Sequence, residues 1–268
     1  MPATLANPPC LRPVPEENNP EVMNALSARL GLTAGKLAFH DVWSLTEPEL
    51  LSHIPRPCLG LLVIIPLTPT WHASRTAEDA TLPDPDTSTD PSTQTPVLWF
   101  PQTIGHACGS IGLLHLLLNL PPAVAASGPD STLAVLRRAA LALPKASDRA
   151  QLLYDSEGFE EAHASVAGLG DTAALTPDIQ NGQHFVAFVK GADGHLWELE
   201  GARRGPLDRG ALEEGEDVLS PAAVARGIGR VMEMERDGGG GDLRFSVIAL
   251  SAVAGGGGGE GEPGAGAG

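Results

Sequence analysis

Cys108 stands in the run Gln102-Thr103-Ile104-Gly105-His106-Ala107-Cys108-Gly109-Ser110, directly ahead of an apolar stretch that reads as a helix. A thiol at a helix amino terminus meets unpaired backbone N–H groups and the positive end of the helix dipole, which favour the thiolate and lower its pKa from about 8.5 towards neutrality or below. Such a sulfur is a nucleophile. Gly109 beside it lets another chain approach closely. Gln102, six residues upstream in the turn before the helix, can aim an amide N–H at the same point as the Cys108 backbone N–H, the pairing that an oxyanion hole needs. Taken singly, each has a plainer alternative: a small buried cysteine and a surface glutamine.

A nucleophilic thiol needs a base, and His184 opens an apolar strand, Phe185-Val186-Ala187-Phe188-Val189. Alone it reads equally as a satisfied core histidine. The segment His195 to Glu200 follows as a second alternating strand, joined to the first through Gly191-Ala192-Asp193-Gly194, a hairpin signal. A three-residue loop would pair Lys190 with Gly194 and put Glu200 directly across from His184, at a Cβ spacing of about 4.5 to 5.5 Å. A carboxylate opposite an imidazole fixes its tautomer and orientation. A slip of one residue would send Glu200 to the other face, so the turn decides the matter.

His106, Cys108 and His115 raise zinc as a second chemistry, but the first two point in different directions at a helix start and no C-x-x-C or H-x-x-x-H pair accompanies them. Cys58, between Pro57 and a buried strand, reads as packing, and Cys10 lies in a Pro-rich amino terminus without a partner.

The elements that must position these groups can be traced along the chain. Asn19-Pro20-Glu21 ahead of Val22, Ala25, Leu26 and Leu30 is a capped helix ended by Gly31. Leu37 to Trp43 reads as a strand, Thr46 to His53 as a short helix capped by Thr46, and Leu59 to Ile65 as a fully buried strand. Ala73 to Thr95 is rich in Pro, Asp, Ser and Thr and reads as a mobile loop, because ordering it would bury too little apolar surface to offset chain entropy. Val97 to Phe100 reads as a brief strand, and Ala107 to Leu120 as a central helix that is apolar on most sides.

Two amphipathic helices, Ser131 to Leu143 and Lys145 to Tyr154, are split at Pro144, and Glu157 to Gln183 follows as a long segment without periodicity. Pro221 to Glu235 reads as a helix and Leu243 to Leu250 as a last strand. Gly255 to Gly268 is low-complexity and is expected to be disordered.

Composition bounds the class. The 268 residues suit one large domain, and 42% hydrophobic residues with a mean hydropathy near zero read as globular. A formal charge of −16 repels nucleic-acid phosphates and anionic lipid, so neither nucleic acid nor membrane is expected as a partner. Three cysteines make no disulfide framework, and neither a secretory leader nor a spanning apolar run is read, which points to a cytoplasmic protein, with the nucleus as second compartment.

These segments resemble the ubiquitin carboxyl-terminal hydrolases, single-domain papain-like cysteine peptidases. The resemblance rests on QTIGHACGSIGLLHLLLN and HFVAFVKGADGHLWELEG, with NPEVMNALSARLGL, FHDVWSL, ELLSHIPRPCLGLLVIIPL and MERDGGGGDLRFSVIALSA in the same order, and it spans Pro15 to Ala252. It implies a catalytic domain over residues 15–252 between a flexible segment, 1–14, and a Gly-rich tail, 253–268. It implies an α+β papain-like fold, a central antiparallel sheet flanked by helices, on a knotted backbone.

By the same resemblance, Cys108 is the nucleophile, His184 the base, Glu200 the third member and Gln102 the oxyanion donor, while Glu157 to Gln183 forms a crossover loop that admits small or unfolded leaving groups. The implied partner is ubiquitin or a ubiquitin-like modifier such as NEDD8, bound by a monomer, with no metal or organic cofactor. Glu200 departs from the family pattern, which has aspartate there; a ubiquitin-binding protein with impaired catalysis is the alternative it raises.

Overall fold

The computed structural model describes residues 18–87, 95–105, 107–122, 124, 127–166, 169, 182–238 and 244–253. Among the described residues, six strands form one antiparallel sheet: β1 (Leu37–Asp41), β2 (Cys58–Pro66), β3 (Gln183–Lys190), β4 (His195–Leu199), β5 (Leu207–Ala211) and β6 (Ser246–Ala252), in the order β1-β6-β2-β3-β4-β5. β2 lies between β6 and β3 and is covered on both faces, which is why its sequence is an almost unbroken apolar run.

Alternation along the strands sorts the core into two layers. Leu62, Ile64, Phe185, Ala187, Ile248 and Leu250 pack with helices α1 (Pro20–Leu30), α4 (Cys108–Leu118), α5 (Thr132–Leu141), α6 (Ala146–Tyr154) and α7 (Glu157–Val166). Leu61, Val63, Val186, Phe188 and Val247 face the other way, against Trp71 of α3 (Pro69–Asp79) and Ala223 and Val231 of α8 (Pro221–Val224) and α9 (Arg230–Asp237). The expected α+β architecture, an antiparallel sheet between helices, is present. α4 is the central helix: every residue of it except Gly109 is buried.

Helix starts follow the expected capping chemistry. Asn19 accepts from the Glu21 N–H at the head of α1, and Gly31 closes that helix with φ 105°. Thr68 and Ser131 cap α3 and α5 in the same way.

Several expectations need correction. The helix expected from Thr46 is the single turn α2 (Pro48–Leu51); Ser44 Oγ accepts from the N–H groups of Thr46 and Glu47, so the bend precedes it. The loop expected from Ala73 begins only after Asp79, because α3 packs Trp71 into the core and pairs its acids Glu78 and Asp79 with Arg203, beyond β4, and Arg209 of β5, instead of relying on a broad apolar face. Its residues 88–94 lie outside the described set.

Val97 to Phe100 is buried but forms no strand: Asn119 takes both the N–H and the C=O of Leu98, and His115 Nε2 accepts the Phe100 N–H. Side chains thus replace a ladder. The first ten residues of the segment expected as a crossover loop form α7, and residues 167–168 and 170–181 lie outside the described set. The helix expected over Pro221 to Glu235 is broken into α8, a π-helical turn (Ala225–Gly229) and α9, with Gly227 at ψ −111°. β5 was not expected. The amino-terminal segment with Cys10, His106 and the Gly-rich tail fall outside the described residues.

Candidate active site

Cys108 is the first residue of α4, and its N-cap, Ala107, offers no side-chain acceptor, whereas α1, α3 and α5 each begin on one. The N-cap therefore contributes no side-chain acceptor to the first-turn N–H groups at the sulfur's end of the helix. The thiol is 7% exposed.

The hairpin supplies the other two groups, with a register different from the expected one. Lys190 pairs with Leu196, Val189 with Trp197 and Ala187 with Leu199. The Gly191 N–H donates to His195 O at 2.8 Å, so the turn closes over residues 192–194 and the register is shifted by two from a Lys190–Gly194 pairing, with the Asp193 carboxylate taking the His195 N–H and the Trp197 indole N–H inside the turn. Continuing this register sets position 200 across from Val186, diagonal to His184. A slip of two keeps the face that a slip of one would have lost. Glu200 consequently still reaches the imidazole: His184 Nε2 lies 3.4 Å from Glu200 Oε1, without hydrogen-bond alignment.

Burial governs the charge states here. Glu200 is 1% exposed, and desolvation pushes its carboxyl up to about 7 against the pull of Arg203 and Arg75. Desolvation, aided by Arg75, pushes the His184 imidazole down to about 4. The Cys58 thiol, the contrasting case, is buried on the other layer with Sγ 3.5 Å from Gly60 O, and burial pushes it up to about 12. It is inert packing, as expected.

Contacts one residue removed tie the four groups together. A Cβ on Gly109, next to Cys108, would lie 3.2 Å from the ring of Phe185, next to His184. Gly201, next to Glu200, receives the Gln102 N–H on its carbonyl at 2.7 Å, and a Cβ there would come within 2.9 Å of Gln102 Cβ. That same Cβ would lie 3.3 Å from Ile111, one turn along from Cys108. Trp99 Nε1 donates to the Glu200 carbonyl at 3.0 Å and completes the seam between the segment before α4 and the end of β4. Gln102 Nε2 donates to Ile104 O at 3.3 Å, while its Oε1 is buried without a partner.

The thiol's helix packs on the Phe185 side of β3, whereas His184 and Glu200 belong by alternation to the Val186 side. His184 is the second residue of that strand, next to Phe185, which lies on the thiol helix's side. His115, weighed above as a metal ligand, is fully buried and holds the Phe100 backbone.

A group that sequence reasoning missed surrounds Glu200. Arg203, 5% exposed, places Nε 3.2 Å from Glu200 Oε2 and its Nη atoms 3.1 Å from Glu78, 3.2 Å from Asp79 and 3.3 Å from Glu198. Arg209 bridges Glu78 and Glu198 at 2.7 Å each. The available signal was the alternation Glu198-Leu199-Glu200, which puts two carboxylates on one strand face and demands cations opposite. Separately, a groove lined by Trp43, Leu45, Leu51, Met232 and Phe245 includes none of the four candidate residues.

The family model described as "Ubiquitin carboxyl-terminal hydrolase, family 1" matches residues 14–233. Ubiquitin carboxyl-terminal hydrolase 3 of Arabidopsis thaliana is 31% identical over 238 residues, covering 89% of this chain and 93% of that protein. Ubiquitin carboxyl-terminal hydrolase isozyme L1 of Homo sapiens is 33% identical over 236 residues, covering 88% and 96%. Among solved structures, the UCH37 catalytic domain of Trichinella spiralis, crystallised bound to ubiquitin vinyl methyl ester, superposes with a TM-score of 0.65 at 23% identity, covering 91% of this chain and 95% of that one. With a family match across most of its length and relatives above 30% identity over nearly all of theirs, this chain belongs to the ubiquitin carboxyl-terminal hydrolase family 1.

Proposed function

We propose that the protein is a cysteine-type deubiquitinating hydrolase that cleaves amide, ester or thioester bonds after the carboxyl-terminal glycine of ubiquitin. The observation that supports the reading is a seam of neighbouring residues: Gly109, next to Cys108, packs against Phe185, next to His184, and the Gln102 N–H donates to Gly201, next to Glu200, whose carboxylate lies 3.4 Å from His184. Glu200 occupies the Nε2 side of the imidazole, which leaves Nδ1 for the thiol.

In the reaction the Cys108 thiolate attacks the glycine carbonyl, and its electrons displace the carbonyl pair onto oxygen. Backbone N–H groups of the α4 first turn and the Gln102 amide, turned away from Ile104, hold that oxyanion. His184, having taken the thiol proton, returns it to the leaving amine, and the thioester forms. Water, deprotonated by His184, then releases the ubiquitin carboxylate and the thiolate. Ionised Glu200 steadies the imidazolium between the steps.

Small or unfolded leaving groups are the proposed substrates, NEDD8 a secondary modifier, and the cytoplasm and nucleus the proposed compartments. The acidic surface, with a formal charge of −16, favours a basic or neutral partner.

Ubiquitin carrying a fluorogenic carboxyl-terminal amide tests the reading: the parent releases the dye, Cys108→Ala abolishes release, and Gln102→Ala lowers kcat by about 10²- to 10³-fold. Release that survives Cys108→Ala sinks it. The second reading, ubiquitin binding with impaired catalysis, is favoured by the off-axis 3.4 Å contact between His184 and Glu200. It predicts tight ubiquitin binding by a parent that releases no dye.

A further inference from the structure

The buried charges around Glu200 have no part in the chemistry just described, yet they are costly to place there. Arg203 and Glu200 are 5% and 1% exposed, and a buried ion that lacks good partners destabilises a fold. The carboxylate is divided between two groups: Oε1 faces His184 Nε2 at 3.4 Å and Oε2 faces Arg203 Nε at 3.2 Å. Rotating the carboxylate about its last bond would break both contacts at once.

Arg203 is in turn held from two elements, by Glu78 and Asp79 of α3 and Glu198 of β4, and by Glu200 just beyond β4. A planar guanidinium hydrogen-bonded at Nη1 to Asp79 and at Nη2 to Glu198 holds its Nε in place as an ion-pair partner of Glu200 Oε2, without hydrogen-bond alignment. Resting on the function proposed above, we propose that Arg203 is a positioning residue: it fixes the rotation of the Glu200 carboxylate so that one oxygen stays on the imidazole, with α3 as its anchor.

Geometry and charge make separable contributions. The charged and titratable groups facing Glu200 are His184 on β3, Arg203 beyond β4, Glu198 on β4, and Arg75 and Asp79 on α3. Arg203 and Arg75 favour the ionised carboxylate, whereas Glu198, Asp79 and burial oppose it. Without the Arg203 charge, Glu200 holds its proton to higher pH, and a protonated Glu200 cannot steady an imidazolium. Activity then falls away at a higher pH on the acid side.

The test uses the full chain and the ubiquitin fluorogenic amide, read as kcat and KM across pH for Arg203→Met and Arg203→Lys, with melting temperatures alongside. Arg203→Met is expected to lower kcat by up to about 10²-fold, the scale of a 1 Å misplacement, with KM held and the acid limb moved to higher pH. Arg203→Lys keeps the charge but not the planar fork, so its kcat falls while its acid limb stays in place. In the Glu200→Gln background, Arg203→Lys should cost nothing further.

Unchanged kcat in Arg203→Lys, or an unchanged acid limb in a folded Arg203→Met, overturns the inference. Should Arg203→Met fail to fold, Arg203→Lys decides alone. A parent that neither releases dye nor is labelled at Cys108 by ubiquitin vinyl methyl ester would instead sink the proposed function.

Discussion

Replacing Glu200 with the shorter aspartate is the most informative perturbation. The hairpin register pairs Ala187 with Leu199, so position 200 falls diagonal to His184, where Cβ atoms are about 7 Å apart or somewhat less. Glutamate spans that gap and leaves 3.4 Å between Oε1 and Nε2. Glu200→Asp withdraws the carboxylate by up to about 1.5 Å, one carbon–carbon bond. The separation would then approach about 5 Å, beyond any hydrogen bond. The contact from Arg203 Nε to Oε2, 3.2 Å in the parent, opens at the same time.

An imidazole released from its orienting group misplaces the base by an ångström or more, which costs up to about 10²-fold in rate. The fall should appear in kcat with KM unaltered, because the substitution is buried at 1% exposure. Initial rates on the ubiquitin fluorogenic amide, compared for the parent, Glu200→Asp and Glu200→Gln, measure it. A Glu200→Asp enzyme as fast as the parent, or faster, would refute the claim that this register requires the longer side chain. It would also favour the reading in which glutamate impairs catalysis.

Other outcomes follow from the same coordinates. Gly201→Ala places a Cβ 2.9 Å from Gln102 Cβ and 3.2 Å from the Gln102 backbone N, neither of which can swing away, so kcat should drop by about 10²-fold while ubiquitin affinity in a binding titration holds. Asn119→Ala removes partners from Leu98 N, Leu98 O and His115 O and should destabilise the fold by about 3 kcal/mol in urea unfolding. Between pH 5 and 8, Glu200→Gln should gain stability relative to the parent, measured as urea midpoints. The parent carboxyl, raised from 4.5 to about 7, contributes stability that is full below 4.5 and lost as pH rises through about 7, at most about 3 kcal/mol. His184, lowered from 6.5 to about 4, works oppositely in both proteins, losing its contribution as pH falls through about 4. Parallel profiles for parent and variant would contradict the burial of an ionised Glu200.

Much of the frame was legible because its causes are local. Asn19, Pro20 and Gly31 bound α1 through capping and backbone preference, and the apolar run of β2 announces a strand covered on both faces. The segment that starts α4 at Cys108 and the hairpin carrying His184 and Glu200 were readable for the same reason, as was the face that Glu200 occupies, since a two-residue change in register preserves it.

What the chain alone left open depends on partners distant in sequence. α3 extends to Asp79 because its charges meet Arg203 and Arg209, more than a hundred residues away, and a run poor in apolar side chains gives no local sign of that. Val97 to Phe100 looks like a strand until Asn119 and His115 take its backbone groups. The register itself turned on the Gly191 N–H reaching His195 O, with the Asp193 carboxylate folded back into the turn, and the hold of Arg203 on Glu200 exists only once α3, β4 and the chain after β4 are assembled. Residue types therefore determined which chemistry this protein carries, while tertiary packing decided which oxygen faces the imidazole, because desolvation and ion pairing act through space and not along the chain.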